Sequence, residues 1–206
     1  MGWSRRIVIV AGLAAGLAGS ARAAVIVVPP RPGQVGLSVQ GEYGSFVQSG
    51  EMGENFGSGP GIAVRLRYRM RYERGVGLSF ESHGFDALSG ARPIGNFATV
   101  LDDSVPTRLT LGMYGVDFYQ MFGTRTKTTK MLSVGAGIAR VTQEFVQGDS
   151  NFPGDGAFVT AGAGLEHFVW QSWGVDLSGR YYGVFRSGQS NHEFQIALGL
   201  VFYASL

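Results

Sequence analysis

The feature that most constrains the fold of this chain is a two-residue alternation of apolar side chains with small or polar ones, which is clearest in residues 194–206. One set of alternating positions there is apolar throughout: Phe194, Ile196, Leu198, Leu200, Phe202, Ala204 and Leu206. The positions between them run from Gln195 to Ser205 and are mostly small or polar. Because successive side chains of a β-strand point to opposite faces of the sheet, this pattern predicts a strand with one apolar face.

The same alternation recurs along the chain and predicts eight strands in all. Their expected ranges are 35–46, 62–72, 76–83, 107–122, 131–145, 157–168, 175–185 and 194–206. In the fourth range Leu109 and Leu111 are out of step with Val116, which predicts a change of phase near residues 114–115. In the fifth, Arg140 falls on the apolar face, so either a bulge shifts the phase or the strand has left the membrane there.

The composition excludes several kinds of protein. Charged residues make up 16 % of the chain, against about 25 % in ordinary soluble domains. The chain has no Cys, which excludes disulfides, thiolate zinc sites, thiol nucleophiles and a lipoprotein-type Cys anchor. Isolated histidines and turn-like acidic loops give no metal-ligand spacing, so we expect no cofactor and no metal.

The first 23 residues have the three parts of a secretory signal peptide. Arg5 and Arg6 precede an apolar run, and Ala21 to Ala23 fits a cleavage site. Cleavage there would remove three of the 17 basic residues and leave 14 against 15 acidic ones, a net charge of −1. The basic balance of the full chain is therefore no argument for nucleic-acid binding.

No other stretch reaches the length of a transmembrane helix, so a membrane-inserted chain would have to form a closed barrel. We expect residues 24–34 to be a short extended lead-in and residues 35–206 to form an all-β, eight-stranded antiparallel up-and-down transmembrane β-barrel. The connections at 48–60, 84–106 and 147–156 are long and those between them are short. This asymmetry is typical of outer-membrane barrels, in which the long loops lie outside the cell.

Aromatic residues cluster near the predicted strand ends, as two membrane interfaces would select. The expected periplasmic belt is Tyr72, Phe122, Trp170, Trp173 and Phe202, and the expected outer belt is Tyr43, Phe46, Phe80, Phe158, Tyr181, Phe185 and Phe194. The alternative is a soluble β-sandwich or lipocalin-like barrel, in which the second face would be rich in Lys and Glu. That face instead carries many small residues with isolated charges, which favours a narrow lumen.

Four arginines at alternate positions, Arg65, Arg67, Arg69 and Arg71, form the most distinctive cluster. Facing lipid, each would cost about 2–4 kcal/mol at the membrane midplane, so we expect them to face inward, with Arg71 in or near the turn. Glu42 and Glu81 on the adjacent strands are the natural partners. The other expected lumen residues are Glu166, Asp176, Arg180 and, at the top, Glu193. The main hypothesis is an ion-pair network that plugs the lumen, and the alternative is a basic constriction selective for anions.

Two groups of residues contain side chains of the types that serve in catalysis. His83 with Asp102, Asp103 and Ser104 loosely resembles the His and Asp-Ser pair of the lipid A palmitoyltransferase family, although here the His lies on a strand. Residues 190–193 contain the residue types of the lipid A deacylase motif in a different order. An Asp-Asp-Ser run in a loop is more typical of a turn. We therefore expect no catalytic site, and a lipid A-modifying enzyme is the lesser alternative.

The signal peptide, the eight alternating strands and the apolar last strand together resemble the OmpA-transmembrane and OmpX family of small outer-membrane barrels. The resemblance covers nearly the whole predicted mature chain. It implies a monomer in the bacterial outer membrane, in contact with lipid and lipopolysaccharide and inserted by the outer-membrane assembly machinery. A structural or surface-interaction role follows as the leading expectation, with a small pore as the alternative.

Overall fold

The computed structural model describes residues 30–47, 50–95, 105–146, 148–170 and 172–205. Its elements are β1 (Gln34–Phe46), α1 (Gly50–Asn55), β2 (Ser58–Arg69), β3 (Arg74–Asp86), β4 (Pro106–Phe122), β5 (Thr128–Phe145), β6 (Ser150–Trp170), β7 (Trp173–Arg186) and β8 (Gln189–Ser205). Each strand pairs antiparallel with the next, and β1 pairs with β8, so that the sheet closes into a barrel. The predicted fold class and strand number are confirmed. The predicted signal peptide, residues 102–104 and Leu206 lie outside the described residues.

The period-two alternation decides which side chains face the outside of the barrel. On β8, Ile196, Leu198 and Leu200 are 55–58 % exposed, whereas the intervening Gln195 and Ala197 are buried. The same arrangement holds on β1, where Leu37 and Val39 face outward and Ser38 and Gln40 inward. The barrel thus presents an apolar outer surface and encloses its polar side chains.

The expected phase change in the fourth strand is wrong. Pairing of β4 with β5 runs without a break from Arg108 to Phe122, so β4 alternates throughout. Leu109, Leu111 and Met113 point inward and are buried, while Val116 points outward. The apparent change of phase arises because one end of the lumen is itself apolar.

The fifth strand shows no bulge at Arg140, which pairs in register with Asp155. Its side chain faces outward, 3.4 Å from the Asp155 carboxylate, and both side chains are more than half exposed. The first irregularity in this pairing comes later, between Val141 and Gln143. Of the two interpretations, the continuous strand with a solvated Arg140 agrees with this geometry.

Several strand boundaries also differ from the sequence prediction. The connection expected at 147–156 is short, because β5 ends at Phe145 and β6 already begins at Ser150. Gly154 and Asp155, which look like turn residues, pair with Val141 and Arg140. The second strand ends at Arg69, so the exposed Arg71 and Tyr72 lie in the following turn. Within the described residues, no helix has the length and apolar character needed to cross a membrane.

Candidate functional site in the barrel lumen

Three arginines of β2 line the lumen at alternate positions. Arg65, Arg67 and Arg69 are each at most 1 % exposed and are among the largest fully buried side chains of the described residues. Their neighbours Val64, Leu66 and Tyr68 occupy the outward positions. A guanidinium in such surroundings is costly unless opposite charges and hydrogen bonds compensate for the water it has lost.

Arg65 is compensated by the strands on either side of β2. Its Nη2 lies 2.6 Å from Glu42 Oε1 on β1 and 2.8 Å from Glu81 Oε1 on β3. Its Nε also donates to Glu81, at 3.1 Å, and its Nη1 donates to Gln40. This is the pair of acids that the sequence indicates as natural partners.

Arg67 and Arg69 reach across the lumen instead. Arg67 contacts Glu166 on β6 and lies 2.5 Å from Asp176 on β7. Arg69 lies 2.9 Å from the second oxygen of Glu166, and the Tyr203 hydroxyl donates to Glu166 at 2.8 Å. These partners do not lie on the strands adjacent to β2, because closure of the barrel brings β2 opposite β6 and β7.

Arg180 on β7 forms a second cross-lumen contact, with residues of β4 that the sequence did not predict as its partners. Its Nη1 donates to Asp117 on β4 at 3.1 Å, and its Nη2 donates to the Tyr119 hydroxyl at 3.0 Å. The Tyr119 ring lies between two cations, with Arg67 5.1 Å and Arg180 6.0 Å from its centroid. If Val116 and Phe118 are taken as outward-facing, the two-residue alternation of β4 places Asp117 and Tyr119 inside.

His83 belongs to the same network of buried polar side chains. Its Nε2 hydrogen-bonds Glu42 at 2.6 Å, and its Nδ1 lies 3.7 Å from Glu193. Atoms of Glu42, Glu81 and His83 that could ligate a metal ion lie within 4.8 Å of one another. Both carboxylates, however, already accept hydrogen bonds from Arg65. A metal ion there would have to displace that guanidinium, so the donor set fits an ion-pair network better than a metal site.

All nine lumen residues expected from the sequence are buried and make side-chain contacts with charged or polar neighbours. They are Glu42, Arg65, Arg67, Arg69, Glu81, Glu166, Asp176, Arg180 and Glu193. Within the described part of the barrel wall, the four arginines of this set face six buried acids, the sixth being Asp117. Tyr182 donates to Glu81 at 2.7 Å and, like Tyr203, was not predicted. The sequence of an alternating strand does not indicate that the hydroxyl of a single tyrosine donates a hydrogen bond to an acid in the lumen.

The half of the lumen nearer to α1 contains an apolar cluster. Its buried cluster comprises Phe46, Met52, Phe56, Phe85, Ile94, Leu109, Leu111, Met113, Ala139, Val141, Phe158, Tyr182 and Val184. Phe46 and Phe158 were expected in the outer aromatic belt, and that expectation is wrong. Both fall on inward positions of their strands, so proximity to a strand end alone did not identify the face.

A cap, formed by α1 and residues 91–95, covers this apolar cluster. The Met52 amide donates to Asn191 Oδ1 at 2.7 Å, and the Met52 side chain is fully buried. Glu51 accepts a hydrogen bond from the Gly95 amide at 2.7 Å and lies 3.6 Å from Arg186. The β1–β2 and β3–β4 connections thus contact each other and the β7–β8 hairpin across the mouth of the barrel.

Of the twelve aromatic residues expected in the two belts, ten lie on the outer surface and are at least 36 % exposed: Tyr43, Tyr72, Phe80, Phe122, Trp170, Trp173, Tyr181, Phe185, Phe194 and Phe202. Trp173 packs on Phe202 with 4.7 Å between ring centroids, and Phe80 packs edge-on to Tyr114 at 6.0 Å. The first pair lies at the end of the barrel that carries the short turns. The second joins the middle residues of β3 and β4.

Solved structures of small bacterial barrels are similar to this one. Neisserial surface protein A aligns with a TM-score of 0.56 at 13 % identity, covering 82 % of this chain and 95 % of that one. The N-terminal β-barrel domain of OprF from Pseudomonas aeruginosa aligns with a TM-score of 0.54 at 13 % identity, covering 85 % and 100 %. Ail, the attachment invasion locus protein of Yersinia pestis, aligns with a TM-score of 0.51 at 15 % identity, covering 83 % and 99 %.

This chain has the fold of the small eight-stranded outer-membrane barrels. The resemblance drawn from the sequence is therefore confirmed at the level of the fold. No family model and no curated protein matches the sequence. At these identities the likeness carries architecture alone, so function has to be argued from the lumen and the outer surface.

Proposed function

We propose that the protein is a bacterial outer-membrane barrel with a structural or surface-interaction role, in which the lumen is closed and the capped loops are presented outside the cell. The outer surface supports the membrane location, because side chains such as Leu132, Val134 and Ile138 on β5 are more than half exposed on a closed sheet. An apolar face of this extent needs a lipid environment. Partners on this account are outer-membrane lipid, lipopolysaccharide and the assembly machinery, and the barrel is a monomer.

The observation that carries the closed lumen is the chain of ion pairs across it. Arg67 joins β2 to β6 and β7, while Arg180 joins β7 to β4, so contacts cross the lumen in two directions. Eight strands enclose a space that side chains are sufficient to fill. The apolar cluster under the cap forms a second barrier, which no hydrated ion would enter readily.

An anion-selective pore is the competing proposal, and the inward-facing arginines of β2 support it. The balance of buried charge argues against it, because the described barrel wall buries six acids and five arginines. An anion would have to displace carboxylates already held at hydrogen-bonding distance, as in the contact of Arg65 with Glu42 at 2.6 Å. The network therefore favours a plug over a constriction.

Single-channel recording in planar lipid bilayers tests this proposal. The wild-type protein should give no steady openings, since its charges are paired across the lumen. An Arg67→Ser/Arg69→Ser variant removes two side chains from the middle of the lumen and should give brief openings. Arg140→Ser, which removes an arginine from the outer surface, is the matched control and should stay silent. Steady anion-selective openings of the wild type would rule out a sealed lumen.

A further inference from the structure

The end of the barrel that carries the short turns is strongly basic. Five exposed basic residues, here called the basic rim, lie in or beside the turns after β2 and β4: Arg71, Arg74, Arg125, Lys127 and Lys130. The acid among them is Glu73. No residue of the rim makes a salt bridge with any described residue, whereas the lumen arginines are all paired. The rim is thus a patch of uncompensated positive charge.

Contacts between the two turns make the rim one surface. The Arg125 guanidinium lies 5.2 Å from the centre of the Tyr72 ring. The Met121 amide at the end of β4 donates to the Glu73 carbonyl at 2.8 Å. Lys130 stands opposite Phe122 on the outer face of β5, at the edge of the apolar surface. Its long stem can lie along that surface while its ammonium group reaches the headgroup layer.

A groove of about 560 Å³ opens on the outer surface beside Lys130. One row of cross-strand neighbours explains it: Leu132, Ala163, Gly179 and Ile196 stand side by side on β5 to β8. Small side chains in the middle of the row leave a depression between bulky ones at its two ends. Phe122 and Lys130 line the groove at the basic rim, so it is apolar along its length and cationic at one end.

We propose that this groove binds an anionic phospholipid of the periplasmic leaflet, with one acyl chain along Ala163 and Gly179 and the phosphate beside Lys130. The proposal rests on the membrane location and orientation proposed above. Basic side chains at a membrane surface attract anionic headgroups by about 1 kcal/mol each, an effect that salt screens. The opposite end of β5 offers no such site, because Arg140 there is paired with Asp155. Lipopolysaccharide, whose phosphates would lie at that opposite end, therefore does not fit.

Tryptophan quenching by lipids with brominated acyl chains tests the proposal. Trp170 and Trp173 face each other in the β6–β7 hairpin, on the two strands that carry Ala163 and Gly179. In a full-length Trp3→Phe background they are the sole tryptophans. The barrel is inserted into phosphatidylcholine vesicles that contain brominated phosphatidylglycerol or brominated phosphatidylcholine. Quenching should be stronger with the anionic lipid at equal mole fraction, and the difference should shrink in high salt.

Two pairs of variants separate charge from shape. Lys130→Gln should lower the preference for the anionic lipid about fivefold, the factor that corresponds to about 1 kcal/mol, while Arg140→Gln on the same face of β5 leaves it unchanged. Ala163→Leu fills the groove and should also lower the preference. Ala161→Leu, one outward position along β6 and outside the groove, should not.

Equal quenching by the two lipids in the wild type, or equal losses in Lys130→Gln and Arg140→Gln, would overturn the proposal. Insertion is checked in each sample by the shift in gel mobility on heating. A protein that fails to insert contradicts the proposed membrane function. An inserted barrel without lipid preference contradicts only the lipid site.

Discussion

Replacing Glu166 by Gln probes the lumen network at its most connected acid. Glu166 accepts hydrogen bonds from two arginines, Arg67 and Arg69, and from the Tyr203 hydroxyl at 2.8 Å. The substitution keeps the size of the side chain and removes its charge. Arg67 retains Asp176 at 2.5 Å, but Arg69 then has no charged partner among the described residues.

The magnitude follows from burial. Removing one member of a buried ion pair typically costs about 3–5 kcal/mol, because the remaining charge stays out of water without compensation. Arg69 is fully buried, so we expect a loss in this range for Glu166→Gln. A further substitution of Arg69 by Met should recover part of the loss, with an interaction energy of about 0.5–3 kcal/mol. The control is Asp155→Asn, which breaks an exposed pair and should cost less than about 1 kcal/mol.

Urea titration of the barrel in lipid vesicles, followed by the fluorescence of Trp170 and Trp173, measures these free energies of unfolding. The expected order of stability is wild type, Asp155→Asn, the double variant and then Glu166→Gln. If Glu166→Gln costs no more than Asp155→Asn, the lumen charges are solvated, and the argument for a dry ion-pair network fails.

Three further perturbations follow from the packing. Gly199→Ala places a Cβ 2.0 Å from a backbone oxygen of β1 and should lower the free energy of unfolding by about 1–3 kcal/mol in the same titration. The control is Gly41→Ala, which has open space around the added Cβ. Met52→Ala should loosen the cap and speed hydrogen exchange of the α1 amides, because it empties a fully buried site; unchanged exchange would mean that the cap does not rest on this side chain. Tyr119→Phe removes the hydrogen bonds of the hydroxyl with Asp117 and Arg180 and should lower the free energy of unfolding by about 1–3 kcal/mol. The control Tyr181→Phe, on the outer face, should lower it by less than about 0.5 kcal/mol. Equal losses would contradict the role given to the buried hydroxyl.

The strand number and the inward direction of Arg65, Arg67 and Arg69 follow from the sequence, because a period of two assigns every residue of a regular strand to a face. The predictions of side-chain direction fail where the polarity of a residue does not indicate which face of the strand it occupies. Leu109 and Leu111 point into an apolar part of the lumen, so their hydrophobicity suggested the wrong side.

Partners across the lumen are equally hidden in the sequence. Glu42 and Glu81 could be proposed for Arg65 because they lie on adjacent strands. Glu166 could not be assigned to Arg69 in this way, because their approach depends on the closure and stagger of the whole barrel. The α1 helix also gave no signal, since six residues with two glycines carry little helical pattern, and tertiary contacts such as the burial of Met52 hold it in place.

Outer-membrane fractionation followed by gel electrophoresis of unheated and boiled samples tests the account most directly. A closed eight-stranded membrane barrel should be recovered with the outer membrane and should migrate faster unheated than after boiling, because the folded barrel resists the detergent. Recovery as a soluble periplasmic protein, with the same mobility in both samples, would contradict the membrane barrel.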